Sequence, residues 1–80
     1  MIQTNYKEMK KKLENREPFV GNSVFAKMEN EYYLVYSYNT MILKWDTKKN
    51  TQVYFNSAKY SSTTSRLQNM IRKAFDVQED

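Results

Sequence analysis

Residues 32–38 read YYLVYSY, and this stretch decides the fold. Aromatic and branched residues in unbroken succession favour a pleated strand over a helix. Alternation puts Tyr32, Leu34, Tyr36 and Tyr38 on one face and Tyr33, Val35 and Ser37 on the other. Both faces carry large side chains. A phenol ring fills a core or an interface, while its hydroxyl needs water or a partner.

Working outward, the neighbouring segments read as further strands. Downstream, Asn39-Thr40 is a tight turn, because asparagine tolerates positive φ. Residues 41–46 (MILKWD) follow, with Met41, Leu43 and Trp45 expected inward and Ile42, Lys44 and Asp46 outward. Residues 47–50 (TKKN) make a turn. Residues 51–56 (TQVYFN) make a short fourth strand, with Val53 and Phe55 on one face and Gln52 and Tyr54 on the other. Upstream, Glu29-Asn30-Glu31 is a hairpin turn. Residues 19–28 (FVGNSVFAKM) read as one strand interrupted at Gly21-Asn22.

Helical periodicity flanks this meander. In residues 4–16, Ile2, Tyr6, Met9 and Leu13 form a narrow apolar stripe, Asn5 and Glu8 suggest a capping box, and Pro18 ends the segment. In residues 64–75, Leu67, Met70, Ile71, Ala74 and Phe75 cover an arc of about 140°, wide enough to dock on a sheet. Ser65 and Gln68 fit a second capping box, and residues 76–80 read as a frayed tail. The expected fold is α+β in a single domain spanning residues 1–80. An N-terminal helix (4–16), a four-stranded antiparallel meander (19–56) and a C-terminal helix (64–75) follow one another, with both helices on one sheet face.

Composition narrows the chemistry. The chain has 80 residues, which supports one modest core. It contains no cysteine and no histidine, so disulfides, thiolate chemistry, histidine triads and the usual structural zinc sites are excluded. Gly21 is the single glycine, so no glycine-rich phosphate loop can be built. No long apolar run and no charged-then-apolar opening segment occurs, so a cytoplasmic protein without membrane contact is expected. Acids stand beside turns, as Glu29, Glu31 and Asp46 do, where carboxylates are ordinary; no enzyme is expected, and no cofactor or metal. Lysine and arginine number 13 against 9 acids, a net charge of +4 spread along the whole chain.

Three binding features remain. The Lys10-Lys11-Lys12 run reads as a solvated helix face. Ser61, Ser62, Thr63, Thr64 and Ser65 precede Arg66 at a helix start. They serve capping first, and an anion second. The seven tyrosines offer either a protein-binding face or, with Lys27, Lys44 and Lys59, a stacking surface for single-stranded nucleic acid. The expected partner-binding residues are Tyr36, Tyr38, Tyr54 and Tyr60, with Lys44, Lys59 and Arg66 around them.

Two blocks carry a resemblance. Val35, Tyr36, Ser37, Tyr38 and Thr40 match a V-Y-S-Y-G-T strand and turn, with Asn39 in place of the glycine. Asn56, Lys59, Tyr60, Ser61, Thr63, Thr64, Ser65 and Gln68 match an N-x-x-K-Y-S-x-T-T-S-x-H-Q block, with Leu67 in place of the histidine. The pattern covers roughly residues 19–72. It resembles small proteins encoded by phages and prophages of Gram-positive bacteria, a family without an assigned activity. The resemblance implies a phage-encoded, non-enzymatic protein that disables a host machine by binding it. Its expected partner is a host protein or ribonucleoprotein effector, with anti-CRISPR action on a Cas nuclease as the specific expectation. A small basic nucleic-acid-binding accessory or regulatory protein is the alternative, and monomer and dimer are both open. A net positive charge argues against mimicry of DNA, which needs a dense acidic surface.

Overall fold

A computed structural model describes residues 6–21, 23–75 and 77–78. The elements run α1 (Tyr6–Glu14), β1 (Phe19–Val20), β2 (Val24–Glu29), β3 (Tyr32–Ser37), β4 (Thr40–Asp46), β5 (Thr51–Phe55) and α2 (Ser62–Ala74). The strands form one antiparallel sheet in sequence order, and the architecture is α+β as expected. Five strands stand where four were expected, because the interruption after Val20 is a full reversal. Phe19 pairs with Ala26 and Val20 with Phe25 across it.

Local chemistry sets each boundary. α1 ends in a Schellman motif: Glu17 N–H donates to Lys12 O at 2.8 Å and Arg16 N–H to Leu13 O at 3.2 Å. Arg16 occupies the left-handed position, φ 55°, that glycine usually fills. The hairpin between β3 and β4 turns on Tyr38 and Asn39, at φ 50° and 66°, one residue earlier than the expected Asn39-Thr40. Two consecutive left-handed residues are the signature of the type I′ turn, whose twist matches the strands. Asp46 Oδ1 accepts from the backbone N–H of Lys48 and of Lys49, both at 3.0 Å, and so closes the β4–β5 turn.

α2 begins three residues before the expected capping box. Ser61 is the N-cap, its hydroxyl accepting from Thr64 N–H at 3.3 Å. Gln68 is not a cap; its Nε2 donates to Asn56 O at 2.8 Å and Ala58 O at 2.9 Å, pinning the segment between β5 and α2. The expected tail is also anchored in part, since Val77 packs against the core and Gln78 exchanges backbone hydrogen bonds with the Gln52 side chain. Asn5, Ile2 and the side chain of Tyr6 lie outside the described residues, as do Asn22, Asp76, Glu79 and Asp80.

Two bulges decide which side chains enter the core. Val35 pairs with Leu43 but Tyr36 pairs with Met41, so Ile42 has no residue opposite. Ile42 and Leu43 are therefore both fully buried, and Met41 joins the outer face. The expected simple alternation of this strand fails there. Lys44 pairs with Tyr54 and Trp45 with Gln52, which skips Val53. Gln52 then shares the inner face with Trp45 and Phe55 with Leu43, while Tyr54 turns outward; the expected pairing of Gln52 with Tyr54 on one face is overturned.

Both helices cover the inner face, as expected. Met9 and Leu13 of α1 meet Leu67 and Ile71 of α2 over Tyr33, Val35, Leu43 and Trp45, and Phe75 closes the end. One polar contact lies inside: Ser37 Oγ and Thr64 Oγ1 share a 2.8 Å hydrogen bond, which satisfies two buried hydroxyls at once.

Candidate binding face

Among the described residues, no helix covers the outer face of the sheet. Strand pairing fixes its rows. The first row is Val20, Phe25, Tyr36 and Met41; the second is Lys27, Leu34, Lys44 and Tyr54; the third is Glu29, Tyr32, Asp46 and Thr51. Phe25 and Tyr36 stack with centroids 4.9 Å apart and rings 9° from parallel. Lys27 Nζ lies 5.8 Å from the Tyr36 centroid, and Lys44 Nζ lies 4.4 Å from that of Tyr32. Leu34 stands between these two lysines and two rings and is almost closed off from water. The lysine stems thus spread over apolar surface while their charges rest on aromatic faces. Val20 and Tyr54, at opposite edges, are 53% and 45% exposed.

The expected residues divide into three groups. Tyr36, Lys44 and Tyr54 share this face. Tyr38 stands at its end on the β3–β4 turn, 57% exposed. Lys59 and Tyr60 are exposed in the segment between β5 and α2, where the Tyr60 hydroxyl accepts from Asn56 Nδ2 at 3.0 Å. Arg66 is exposed on α2, whose buried side faces the opposite side of the sheet. Phe25, Tyr32 and Met41 complete the face and were absent from the expected partner-binding residues, and Lys27, expected only for a nucleic-acid stacking surface, joins them. Their strand alternation was the available signal for Phe25 and Lys27; the bulge hid Met41.

A groove of about 440 Å³ adjoins the Phe25 end, lined by Val20, Gly21, Ser23, Val24, Phe25, Tyr38 and Asn39. Ser23, Tyr38 and Asn39 in its wall are all left-handed, at φ 72°, 50° and 66°. A bulky tyrosine in that region stores about 1–2 kcal/mol of strain. The turn places the exposed Tyr38 side chain at the groove.

Two of the five hydroxyls before Arg66 are absorbed by the fold. Ser61 caps α2 and Thr64 is buried against Ser37. Among the described residues, no group of acids is arranged to hold a metal ion, and no helix is long and apolar enough to cross a membrane.

A second polar feature lies on the helical side. Arg16 Nη1 donates to Leu13 O at 3.2 Å, Glu14 O at 3.1 Å and Ala74 O at 3.4 Å, so one guanidinium serves the carboxyl ends of both helices. Its carbon lies 3.8 Å from the Phe75 centroid and 5.3 Å from that of Trp45. Burial lowers its pKa from the usual arginine value. Tyr33 beneath donates its hydroxyl proton to Glu17 O at 2.7 Å. Burial pushes the Tyr33 phenol well above its ordinary range, opposed by Arg16 and reinforced by Glu17. A basic residue in the last turn ahead of a proline is the only sequence trace of this arrangement.

Residues 7–79 match a family described as a family of unknown function, DUF8033, and the chain belongs to it. No curated protein and no solved structure matches the chain.

Proposed function

We propose that this member of the DUF8033 family is a non-enzymatic binding protein that docks another macromolecule on the uncovered face of its sheet. The observation that carries this is the placement of both helices on one side, which leaves Phe25, Tyr36, Met41 and Tyr54 without a covering layer among the described residues. Aromatic and methionine side chains anchor protein interfaces because they bury large area at small entropic cost. The occupant is a protein surface. Of the two lysines on the face, Lys27 is paired with Glu29 at 3.5 Å, so little positive charge is left for phosphates. The groove beside Phe25 suits one inserted apolar side chain of the partner.

The likeness to phage and prophage proteins supports a finer statement. The protein acts in the cytoplasm of a bacterial host, where it binds and blocks a defence effector, with a Cas nuclease ribonucleoprotein as the specific target. The test uses purified effectors and a phage-protection assay in cells that carry them. Protection by the native chain, lost in the Y36A/Y54A double variant that melts as a folded protein, is the expected result. Full protection by that variant, or no complex with any effector, overturns the proposal.

The two ammonium groups resting on Tyr32 and Tyr36 favour a second reading, contact with single-stranded nucleic acid by base stacking. Two lysines predict a salt dependence with a slope of only about −1 to −2 in log affinity against log salt. A gel shift at low salt with that slope, removed by Y36A, supports this reading over the first.

A further inference from the structure

We propose that the pocket between the helix ends and the β4–β5 turn is a binding site for a small oxyanion, carboxylate or phosphate, held by Arg16. The pocket measures about 500 Å³ and is lined by Arg16, Trp45, Asn50, Thr51, Gln52, Ala74 and Gln78. It lies on the helical side, so it is independent of the sheet face. Three observations converge on it.

The first is an unbalanced cation. Arg16 sits partly buried against Phe75 and Trp45, and its acceptors among the described residues are three carbonyls, not a carboxylate. All three bonds leave from Nη1. The remaining edge of the fork, Nε and Nη2, has no acceptor among the described residues, and this planar pair matches two oxygens of a carboxylate or phosphate. The second is an orphaned donor. Trp45 forms part of the wall, is 4% exposed, and its indole Nε1–H is the buried side-chain donor left without an acceptor among the described residues. Such a group ordinarily finds a partner, and an oxygen entering the pocket supplies one after a small shift. The third is the polar rim. Asn50, held at φ 54°, and Thr51 offer amide and hydroxyl donors, and Gln52 keeps one amide proton beside its bond to Gln78 O, which together reward an anion over an apolar guest. The stacking of Arg16 on two rings fixes the fork in advance, which limits the ordering cost of binding.

Trp45 is the single tryptophan of the chain, so its fluorescence reports directly from the pocket wall. The probes are inorganic phosphate and acetate, each titrated against sodium chloride of equal ionic strength. A saturable change in Trp45 emission with either anion, absent with chloride, is expected. Amide shifts in an NMR titration are expected at Asn50, Thr51 and Gln52. A response to phosphate alone assigns a phosphate-bearing ligand; equal responses assign a general oxyanion site. R16K keeps the charge but loses the fork, and should weaken binding at least tenfold. Should R16K fail to fold, Q52A, which leaves Arg16 in place, is expected to weaken binding several-fold. No saturable response by about 10 mM anion overturns the site. So do shifts confined to Lys27 and Lys44 on the sheet face, or identical binding by R16K.

Discussion

Arg16 combines two roles that a pair of substitutions separates. Its side chain ties the ends of α1 and α2 together, and its backbone holds the left-handed angle that ends α1. Replacement by alanine removes the side chain and keeps the strain. Nη1 carries two protons for three carbonyls at 3.1–3.4 Å, so one to two charged hydrogen bonds are at stake. Discounted for partial exposure, they contribute about 1–2 kcal/mol. The contact with Phe75 adds about 1 kcal/mol. R16A should therefore cost about 2–3 kcal/mol, or roughly 10–20 °C in Tm for a domain of this size. Replacement by glycine loses the same contacts but relieves a left-handed penalty of about 1–2 kcal/mol, partly offset by the greater freedom of glycine in the unfolded chain. R16G should be the more stable variant by about 0.5–1 kcal/mol, or roughly 2–8 °C. Thermal and urea unfolding followed by circular dichroism measure both. If R16A stays within about 0.5 kcal/mol of the native chain, the guanidinium is not the tie described; if R16G falls below R16A, the backbone at Arg16 does not carry the strain described.

Further expectations concern the core, the turn and pH. Because burial raises the Tyr33 phenol above its ordinary value of 10.0, its contribution to stability is complete below that pH and is lost as pH rises toward the folded value. Urea midpoints should hold steady to about pH 10 and fall above it, and Y33F should flatten that fall while losing the bond to Glu17. T64V strands the Ser37 hydroxyl in the core and should cost about 1–3 kcal/mol, with the S37A/T64V double variant costing less than the two single changes added together. Y38N eases the strained turn and should gain about 0.5–1 kcal/mol, yet weaken capture of the partner; a variant that is stabilised and binds as before removes Tyr38 from the interface.

The extent to which the sequence disclosed this molecule depends on how local each determinant is. Alternation in residues 32–38 correctly separated Tyr33, Val35 and Ser37 from Tyr32, Leu34 and Tyr36, because no insertion interrupts that strand. The stripe of Leu67, Ile71 and Phe75 likewise pointed to the sheet from its spacing alone. Boundaries were less legible where a side chain serves a distant segment. Gln68 looks like the end of a capping box, but its amide reaches back to Asn56 and Ala58. Arg16 looks like a surface cation, but its acceptor Ala74 lies 58 residues away. No window of sequence contains both ends of such contacts.

The bulges had the largest consequence for the candidate interface. A strict two-residue period would send Met41 inward beside Leu43 and leave Ile42 in water. Skipping one residue opposite Val35 and Tyr36 reverses this and hands the outer face a methionine in place of an isoleucine. The skip at Val53 brings Tyr54 beside Lys44 on that same outer face and sends Gln52 inward to meet Gln78. The two insertions are compensated within the core, since Ile42 and Leu43 both bury completely. The outer face thus owes its flexible Met41 anchor, and the position of Tyr54 in the aromatic row, to register rather than to local composition. Deleting Val53 removes the bulge and leaves Gln52 opposite Trp45, so Gln52 should stay on the inner face and keep its bonds to Gln78. Retained protection of the Gln78 amide from hydrogen exchange in that variant, with β3 protection unchanged, is the expected signature; loss of protection at Gln78 means that Val53 is not the skipped residue that sets which face Gln52 joins.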